Sequence, residues 1–343
     1  MKNKILVTGG TGYIGSHTAA ELQKHGYSVV IADNLCNSKK EILLQIEKIT
    51  GKKPEFELID LTSPEDTQKL FEKHTDLSGV IHFAAFKAVG ESVEFPLKYY
   101  HNNLFSLVNI LQAMEKYNVA NIVFSSSCTV YGEPDSLPVD ENAPVKPAMS
   151  PYGNTKQVSE EIISDSVGAG SLKSISLRYF NPVGAHSSGL IGELPLGVPN
   201  NLVPFITQTA IGKRDVLKVF GKDYPTPDGT CIRDYIHVED LAEAHVIAIE
   251  RMIKCNQKND FEVFNLGTGS GNSVLEVINA FEEVTEVKLN YRFAERRPGD
   301  VPEVWADTKF ANGELGWVAK KNLADMMKTA WKWEQNLAEK KIF

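Results

Sequence analysis

Over its first 180 residues the chain alternates short β-branched runs with amphipathic stretches of helical period. Strands are expected at 4–8, 28–32, 55–59, 79–83, 120–125 and 173–179, with helices near 13–25, 38–50, 64–74, 96–117 and 151–167. Repeated strand–helix alternation of this kind builds a parallel sheet with helices on both faces. Ligands of such sheets sit outside the carboxyl ends of the strands. Segment 120–125 ends there in small polar residues.

Residues 7–17 read Val-Thr-Gly-Gly-Thr-Gly-Tyr-Ile-Gly-Ser-His. Gly9, Gly12 and Gly15 therefore lie between an expected strand and an expected helix. Glycine allows the tight turn and lets a pyrophosphate approach the backbone, where the helix N-terminus offers free N–H groups. An ordinary strand–helix turn would also use glycine. The dinucleotide reading gains from Asp33 at the end of the second strand, where a carboxylate accepts from ribose hydroxyls and repels a 2′-phosphate. That favours NAD over NADP; the rival reading of Asp33 is a loop or cap residue. Asp60-Leu61 after the third strand would meet adenine, and Phe83-Ala84-Ala85-Phe86-Lys87 after the fourth leaves room for a nucleotide. The expected fold class is α/β, a Rossmann-type doubly wound parallel sheet.

After Phe180 the alternation stops, and prolines and glycines become frequent through 181–234. A helix near 201–212 and a strand near 216–220 are expected there, then a helix opening at His237 and running to about 253. The apolar strand 261–265 returns to the parent sheet, and a helix 273–285, a strand 287–292 and a helix 322–337 follow. The expected division is a dinucleotide-binding domain, 1–180 plus about 235–268, under a smaller, discontinuous α+β domain, about 181–234 plus 269–343.

Bulk properties exclude several classes. The chain has 343 residues and a formal net charge of −8, with no Lys/Arg-rich run, so nucleic acid and anionic membranes are not expected partners. The apolar run after Met1-Lys2-Asn3-Lys4 is too short for a signal peptide, and no segment reaches the roughly 18–20 apolar residues of a membrane span. Cys36, Cys128, Cys231 and Cys255 match no zinc or redox spacing, which suits free thiols in a reducing cytoplasm. The histidines form no ligand pair, and no metal is expected.

Ser150-Pro151-Tyr152-Gly153-Asn154-Thr155-Lys156 carries the chemistry. Ser150 suits a helix cap and Pro151 the first turn, which puts Tyr152 and Lys156 on one helical face. A phenol titrates near pH 10, and a neighbouring cation lowers that value at about 1.4 kcal/mol per unit. The pair therefore reads as a proton-transfer device, although Tyr and Lys four apart also occur by chance. Ser125-Ser126-Ser127 follows the fifth strand and adds a hydroxyl.

Together these residues resemble the Ser/Tyr-x-x-x-Lys arrangement of short-chain dehydrogenases/reductases. Tyr179-Phe180-Asn181-Pro182-Val183-Gly184-Ala185-His186, Pro199-Asn200-Asn201-Leu202, Gly229–Val238 (GTCIRDYIHV) and Arg296-Arg297-Pro298-Gly299-Asp300 narrow the match. Over essentially the whole chain the sequence resembles the UDP-glucose 4-epimerase family. The resemblance implies reversible inversion at C4 of a UDP-hexose through a 4-keto intermediate, with NAD held between turnovers. It implies that Tyr152 takes the 4-hydroxyl proton, that Ser127 bonds the same oxygen, and that Lys156 holds the nicotinamide ribose. For the cofactor it implies Gly9, Gly12, Tyr13, Ile14, Gly15, Asp33, Asn34, Asn37, Ser38, Asp60, Leu61, Phe83, Ala84, Ala85, Lys87, Asn102 and Phe180 beside those three. For the UDP-sugar it implies Ser127, Tyr152, Asn181, Asn201, Leu202, Phe220, Arg233, Arg297, Asp300 and Val304. Arg233 and Arg297 suit a diphosphate because guanidinium binds phosphate in a planar, bidentate way. Their rival readings are a salt bridge from Arg233 to Asp234 or Asp228, and a solvated Arg297 beside Glu295.

Three other functions remain to be weighed. A nucleotide-sugar 4,6-dehydratase places Asp-Glu after the catalytic Ser or Thr, whereas Cys128 and Thr129 stand here. An ordinary dehydrogenase would release NADH each turnover. An NAD-binding scaffold would not need Ser127, Tyr152 and Lys156 together. Val304 stands where the family gates sugar size, and its smallness makes UDP-GlcNAc and UDP-GalNAc candidate substrates. The resemblance also implies a homodimer paired through helices 96–117 and 151–167.

Overall fold

The computed structural model describes residues 3–170, 172–297 and 300–342. Seven parallel strands form the central sheet: β1 (Lys4–Thr8), β2 (Ser28–Asp33), β3 (Glu55–Leu58), β4 (Leu77–His82), β5 (Asn121–Ser125), β6 (Lys173–Tyr179) and, from far along the chain, β11 (Phe261–Leu266). Their order is β11-β6-β5-β4-β1-β2-β3. Chain progression thus reverses between β1 and β4, which pair from Ile5↔Gly79 to Thr8↔His82. That is the switch point at which doubly wound sheets bind ligands. Ile5, Leu6 and Val7 are buried on both faces, as a strand covered by helices on each side requires.

Helices α1 (Tyr13–Lys24), α2 (Ile42–Thr50), α3 (Pro64–Lys73), α4 (Val89–Glu94), α5 (Pro96–Lys116) and α6 (Pro151–Gly168) connect these strands. The sequence predicts one helix over 96–117, yet a short α4 precedes it. Pro96 separates the two, because the residue before proline is forced out of helical geometry, and Phe95 sits at φ −127° and ψ 62°. α6 begins as the sequence predicts: Pro151 occupies the first turn, and the Ser150 hydroxyl accepts from the Gly153 N–H at 3.1 Å.

Beyond β6 come β7 (Asn181–Val183), α7 (Leu202–Ala210), β8 (Leu217–Phe220), β9 (Ile232–Arg233), β10 (Tyr235–His237) and α8 (Val238–Ile253). After β11 follow β12 (Asn272–Ser273), α9 (Val274–Thr285), β13 (Tyr291–Ala294), β14 (Glu303–Val304) and α10 (Leu323–Ala338). They make three small sheets: β7 with β10, β8 with β13, and β9 between β12 and β14. The strand predicted over 287–292 starts only at Tyr291. Its pairing to β8 begins at Tyr291↔Leu217, and the lead-in is held instead by the Leu289 N–H donating to Glu282 at 2.8 Å. The strands at 181–183, 232–233 and 235–237 are too short to leave a period in the sequence. Among the described residues no helix is long and apolar enough to cross a membrane.

Candidate active site

At the β1/β4 switch point the structure opens a cleft of about 560 Å³. Volumes of this order are usual for small-molecule sites. The glycine loop forms its floor. Gly9 has φ +65°, and a Cβ there would stand 2.9 Å from the Ala84 nitrogen after β4. A Cβ on Gly15 would meet the Gly9 carbonyl oxygen at 2.3 Å. Only glycine lets the two loops touch this closely. Gly12 is the N-cap of α1 and no side chain caps it. Gly12, Tyr13, Ile14 and Gly15 therefore line the cleft with a bare helix N-terminus, which suits an anion.

Asp33 stands at the end of β2. Its carboxylate accepts from the Thr11 N–H (3.1 Å), the Leu35 N–H (2.8 Å) and the Ser38 hydroxyl (3.2 Å). It therefore braces the glycine loop as well as presenting negative charge. Asn34, Asn37, Ser38, Asp60, Leu61, Phe83, Ala84, Ala85, Lys87 and Asn102 line the same cleft, as do Tyr152, Lys156 and Asn201. These residues fit a dinucleotide: a bare helix N-terminus reached over glycine backbone, a carboxylate one strand over, and small residues after β4.

Tyr152 and Lys156 share one face of α6, as the spacing predicts. Their electrostatics differ from the expectation. Burial pushes the Tyr152 phenol well above its ordinary value; neighbouring Tyr179 adds to this, and the Ser127 hydroxyl opposes it. Burial pushes the Lys156 ammonium down to about 8, with Glu160 pulling it back up. Lys156 Nζ donates to the Ser125 carbonyl at 2.6 Å and lies 4.7 Å from the Phe124 ring centre. In the chain by itself desolvation dominates, and the phenol is neutral.

Not every predicted residue reaches the cleft wall. Ser127 lies behind it; its hydroxyl accepts from the Thr129 N–H at 3.2 Å and sits within hydrogen-bonding reach of Tyr152. Phe180 is buried among Val130, Tyr131, Val139 and Ala306, so its side chain packs rather than lines. Asn181 opens β7, its N–H bonded to the Asp234 carbonyl at 2.9 Å, and Leu202 opens α7, packed against the cluster of Val203, Ile206 and Met327.

The remaining predicted substrate residues form their own group. Arg233 and Arg297 converge on Asp300: Arg233 Nη2 lies 3.7 Å from Oδ1, and Arg297 Nε donates to Oδ2 at 3.0 Å. The Arg297 guanidinium also lies 5.1 Å from the Phe220 ring centre. Val304, half-buried on β14, is in register with Arg233 on β9. Neither rival partner of Arg233 is used. Asp234 is instead buried and accepts from the Thr268, Gly269 and Ala306 N–H groups, while Asp228 holds Thr230 and Ser273. Pro298 and Gly299 of the Arg296–Asp300 motif lie outside the described residues.

Sequence reasoning missed several polar residues around the cleft. Glu193 reaches across it, accepting from Lys87 at 3.0 Å and from Asn201 at 2.6 Å. Buried Asn103 bonds both backbone groups of Phe86 and the Thr155 hydroxyl, tying α5 and α6 to the loop after β4. An amide in the apolar stretch 96–117 was the available signal for Asn103. Glu193 had none, because Lys87 is distant in sequence and Asn201 lies across an irregular stretch with no period to reveal the pairing. Cys128 starts a short 3₁₀ turn, Cys128–Tyr131, and burial pushes its thiol up to about 12.

The family model described as GDP-mannose 4,6 dehydratase matches residues 6–330. The UDP-glucose 4-epimerase of Bacillus subtilis (strain 168) is 52% identical over 333 residues, 97% of this chain and 97% of that protein. A crystal structure of the UDP-glucose-4-epimerase from Stenotrophomonas maltophila, with bound NAD and formylated UDP-arabinopyranose, superposes with a TM-score of 0.95 at 47% identity, covering 99% of this chain and all of that one. That from Bifidobacterium longum, in complex with NAD+ and UDP, gives 0.93 at 45% identity over 97% and 98% of the two chains. Full-length identity at this level, on a sheet whose switch point carries the glycine loop, Asp33, Tyr152 and Lys156, shows that the chain belongs to the UDP-glucose 4-epimerase family of the extended short-chain dehydrogenases/reductases.

Proposed function

We propose that the protein interconverts UDP-glucose and UDP-galactose by inverting C4 of the hexose through a 4-keto intermediate, with NAD kept in the site. The observation that carries this is the placing of Tyr152 and Lys156 on the wall of the cleft that also presents Gly9, Gly12, Gly15 and Asp33. NAD supplies a hydride acceptor and a positively charged nicotinamide when bound. Tyr152, as the phenolate that this positive charge favours, takes the proton of the 4-hydroxyl and returns it. Ser127, beside the phenol, holds the same oxygen. Lys156 fixes the ribose side and adds positive charge that opposes the rise of the phenol on burial. Arg233 and Arg297 hold the diphosphate, releasing Asp300 as they do so, and Asn181, Asn201, Leu202 and Phe220 position the rest of the UDP-sugar. Cys128, with a thiol that stays protonated, cannot replace the carboxyl pair of a dehydratase.

The division of labour is between residues 1–180 plus about 235–268, which hold NAD, and about 181–234 plus 269–343, which hold the UDP-sugar. β11 joining the sheet beside β6 supports that division. The protein acts as a homodimer in a reducing cytoplasm. Leu97, His101 and Phe105 stand four residues apart on α5; Leu97 is 81% and Phe105 54% exposed, an apolar stripe suited to a second copy. The four cysteines are unpaired. Val304, with a short side chain at the position in register with Arg233, supports turnover of UDP-GlcNAc as a second activity.

The test is incubation of purified protein with UDP-galactose and no added NAD. UDP-glucose forms without net NADH. Stoichiometric NADH release instead would identify a dehydrogenase. UDP-GlcNAc assayed in parallel at saturation gives UDP-GalNAc; undetectable turnover ends the second activity.

A further inference from the structure

Behind the catalytic residues lies a buried ion pair. Glu160, one turn along α6 from Lys156, faces Arg178 of β6, and both are almost wholly buried. Arg178 Nε donates to Oε1 at 3.0 Å and Nη2 to Oε2 at 2.5 Å, a two-pronged contact. Arg178 Nη1 also donates to the Tyr131 hydroxyl at 2.9 Å, and that hydroxyl donates to Asn265 of β11 at 2.7 Å. The pair is thus fixed by α6, two strands (β6 and β11) and the Cys128–Tyr131 turn. On its other side the Ser126 hydroxyl donates to Glu160 Oε1 at 2.5 Å.

Ser126 is the middle of the turn that matters most. Its neighbour Ser125 gives Lys156 a carbonyl, and its neighbour Ser127 lies beside Tyr152. We propose that the Glu160–Arg178 pair is the positioning device of this site, fixing the Ser125–Ser127 turn through Ser126 and keeping Lys156 an ammonium through the charge of Glu160. The idea rests on the epimerase reading of the cleft.

The surroundings of Lys156 leave Glu160 in that role. From β4 His82 faces it, but burial and the ammonium itself push that imidazole down to about 3, so it is neutral. From β6 Tyr179 donates no charge, since burial pushes its phenol up to about 12. From its own helix Tyr152 is a buried neutral phenol, and from β5 come only the Ser125 carbonyl and the Phe124 ring. Glu160 raises the ammonium against a desolvation that otherwise lowers it. Arg178 meets the Glu160 carboxylate in a direct two-pronged contact, so removing either partner alone would leave the other buried without its counter-charge.

Two variants separate this role from mere packing. Ser126→Ala leaves the ion pair in place and frees only the turn. Glu160→Gln/Arg178→Met removes both charges together, so no unpaired ion is left to unfold the protein. For each, kcat and KM for UDP-galactose are measured from about pH 6 to about pH 10, with melting temperature and NAD retained per chain as readouts independent of turnover. Ser126→Ala lowers kcat on the order of tenfold at unchanged KM, melting temperature and alkaline limb. The double variant moves the alkaline limb of kcat down by about one pH unit. Wild-type kcat in Ser126→Ala overturns the role in the turn, and an alkaline limb that stays in place in the double variant overturns the role at Lys156. A wild-type protein that fails to interconvert UDP-hexoses would instead remove the epimerase reading itself.

Discussion

The ammonium of Lys156 is tied to the carbonyl of Ser125 at 2.6 Å, which joins α6 to the end of β5. One hydrogen bond therefore couples the residue four along from Tyr152 to the turn that carries Ser127. The i, i+4 spacing alone did not contain this link.

Tyr152→Phe keeps the buried ring and removes only the hydroxyl. We expect kcat to fall by roughly 10²–10⁴-fold, the usual contribution of a positioned acid–base group, with little change in melting temperature. A coupled assay for UDP-glucose formation reads the first and thermal denaturation the second.

Gly15→Ala places a methyl against the Gly9 carbonyl oxygen. The loop must shift, at a cost of about 1–3 kcal/mol for overpacking. Purified protein should retain markedly less NAD per chain, measured by absorbance after precipitation of the protein. Full NAD content in this variant would show that the loop does not hold the cofactor.

Asp33→Asn removes the carboxylate charge and keeps one acceptor oxygen, enough for either the Thr11 or the Leu35 N–H, which bond to different oxygens of Asp33. The preference for NAD over NADP should narrow by at least about tenfold, or about 1.4 kcal/mol, in competition binding to cofactor-stripped protein.

Acid should destabilise the fold through its histidines. Burial lowers His17 and His82 to about 3, and His245 and His186 to about 4, against an unfolded value near 6.5. Between those values the unfolded chain binds more protons than the native one. Stability from these groups is full above about pH 6.5 and is lost as pH falls toward about 3–4. Melting temperature measured from about pH 7 down to about pH 4 should decline through that window, and His82→Gln should flatten the decline.

Leu97→Glu with Phe105→Glu puts two charges into the exposed stripe on α5. Light scattering on a sizing column should show the mass halved from dimer to monomer, with the melting temperature reporting whether each copy remains folded. A wild-type protein that already runs at the mass of one chain would dispose of the homodimer.

The sequence by itself determined the local pieces. Branched apolar runs forced β1, β2, β5 and β6; Ser150 and Pro151 set the start of α6; three glycines between strand and helix forced a loop that fits an anion. Each depends on neighbours within a few residues, so each is written in the chain. The tertiary structure decided what required distant partners. It set β11 beside β6, and it brought Arg233 and Arg297 onto Asp300 rather than Asp234, Asp228 or Glu295. It put Phe180 into packing and placed Glu193 between Lys87 and Asn201. It also reversed the expected effect on Tyr152. Spacing fixes which charge lies near a phenol, but only burial fixes how much water is removed, and here the loss of water is the largest influence on Tyr152.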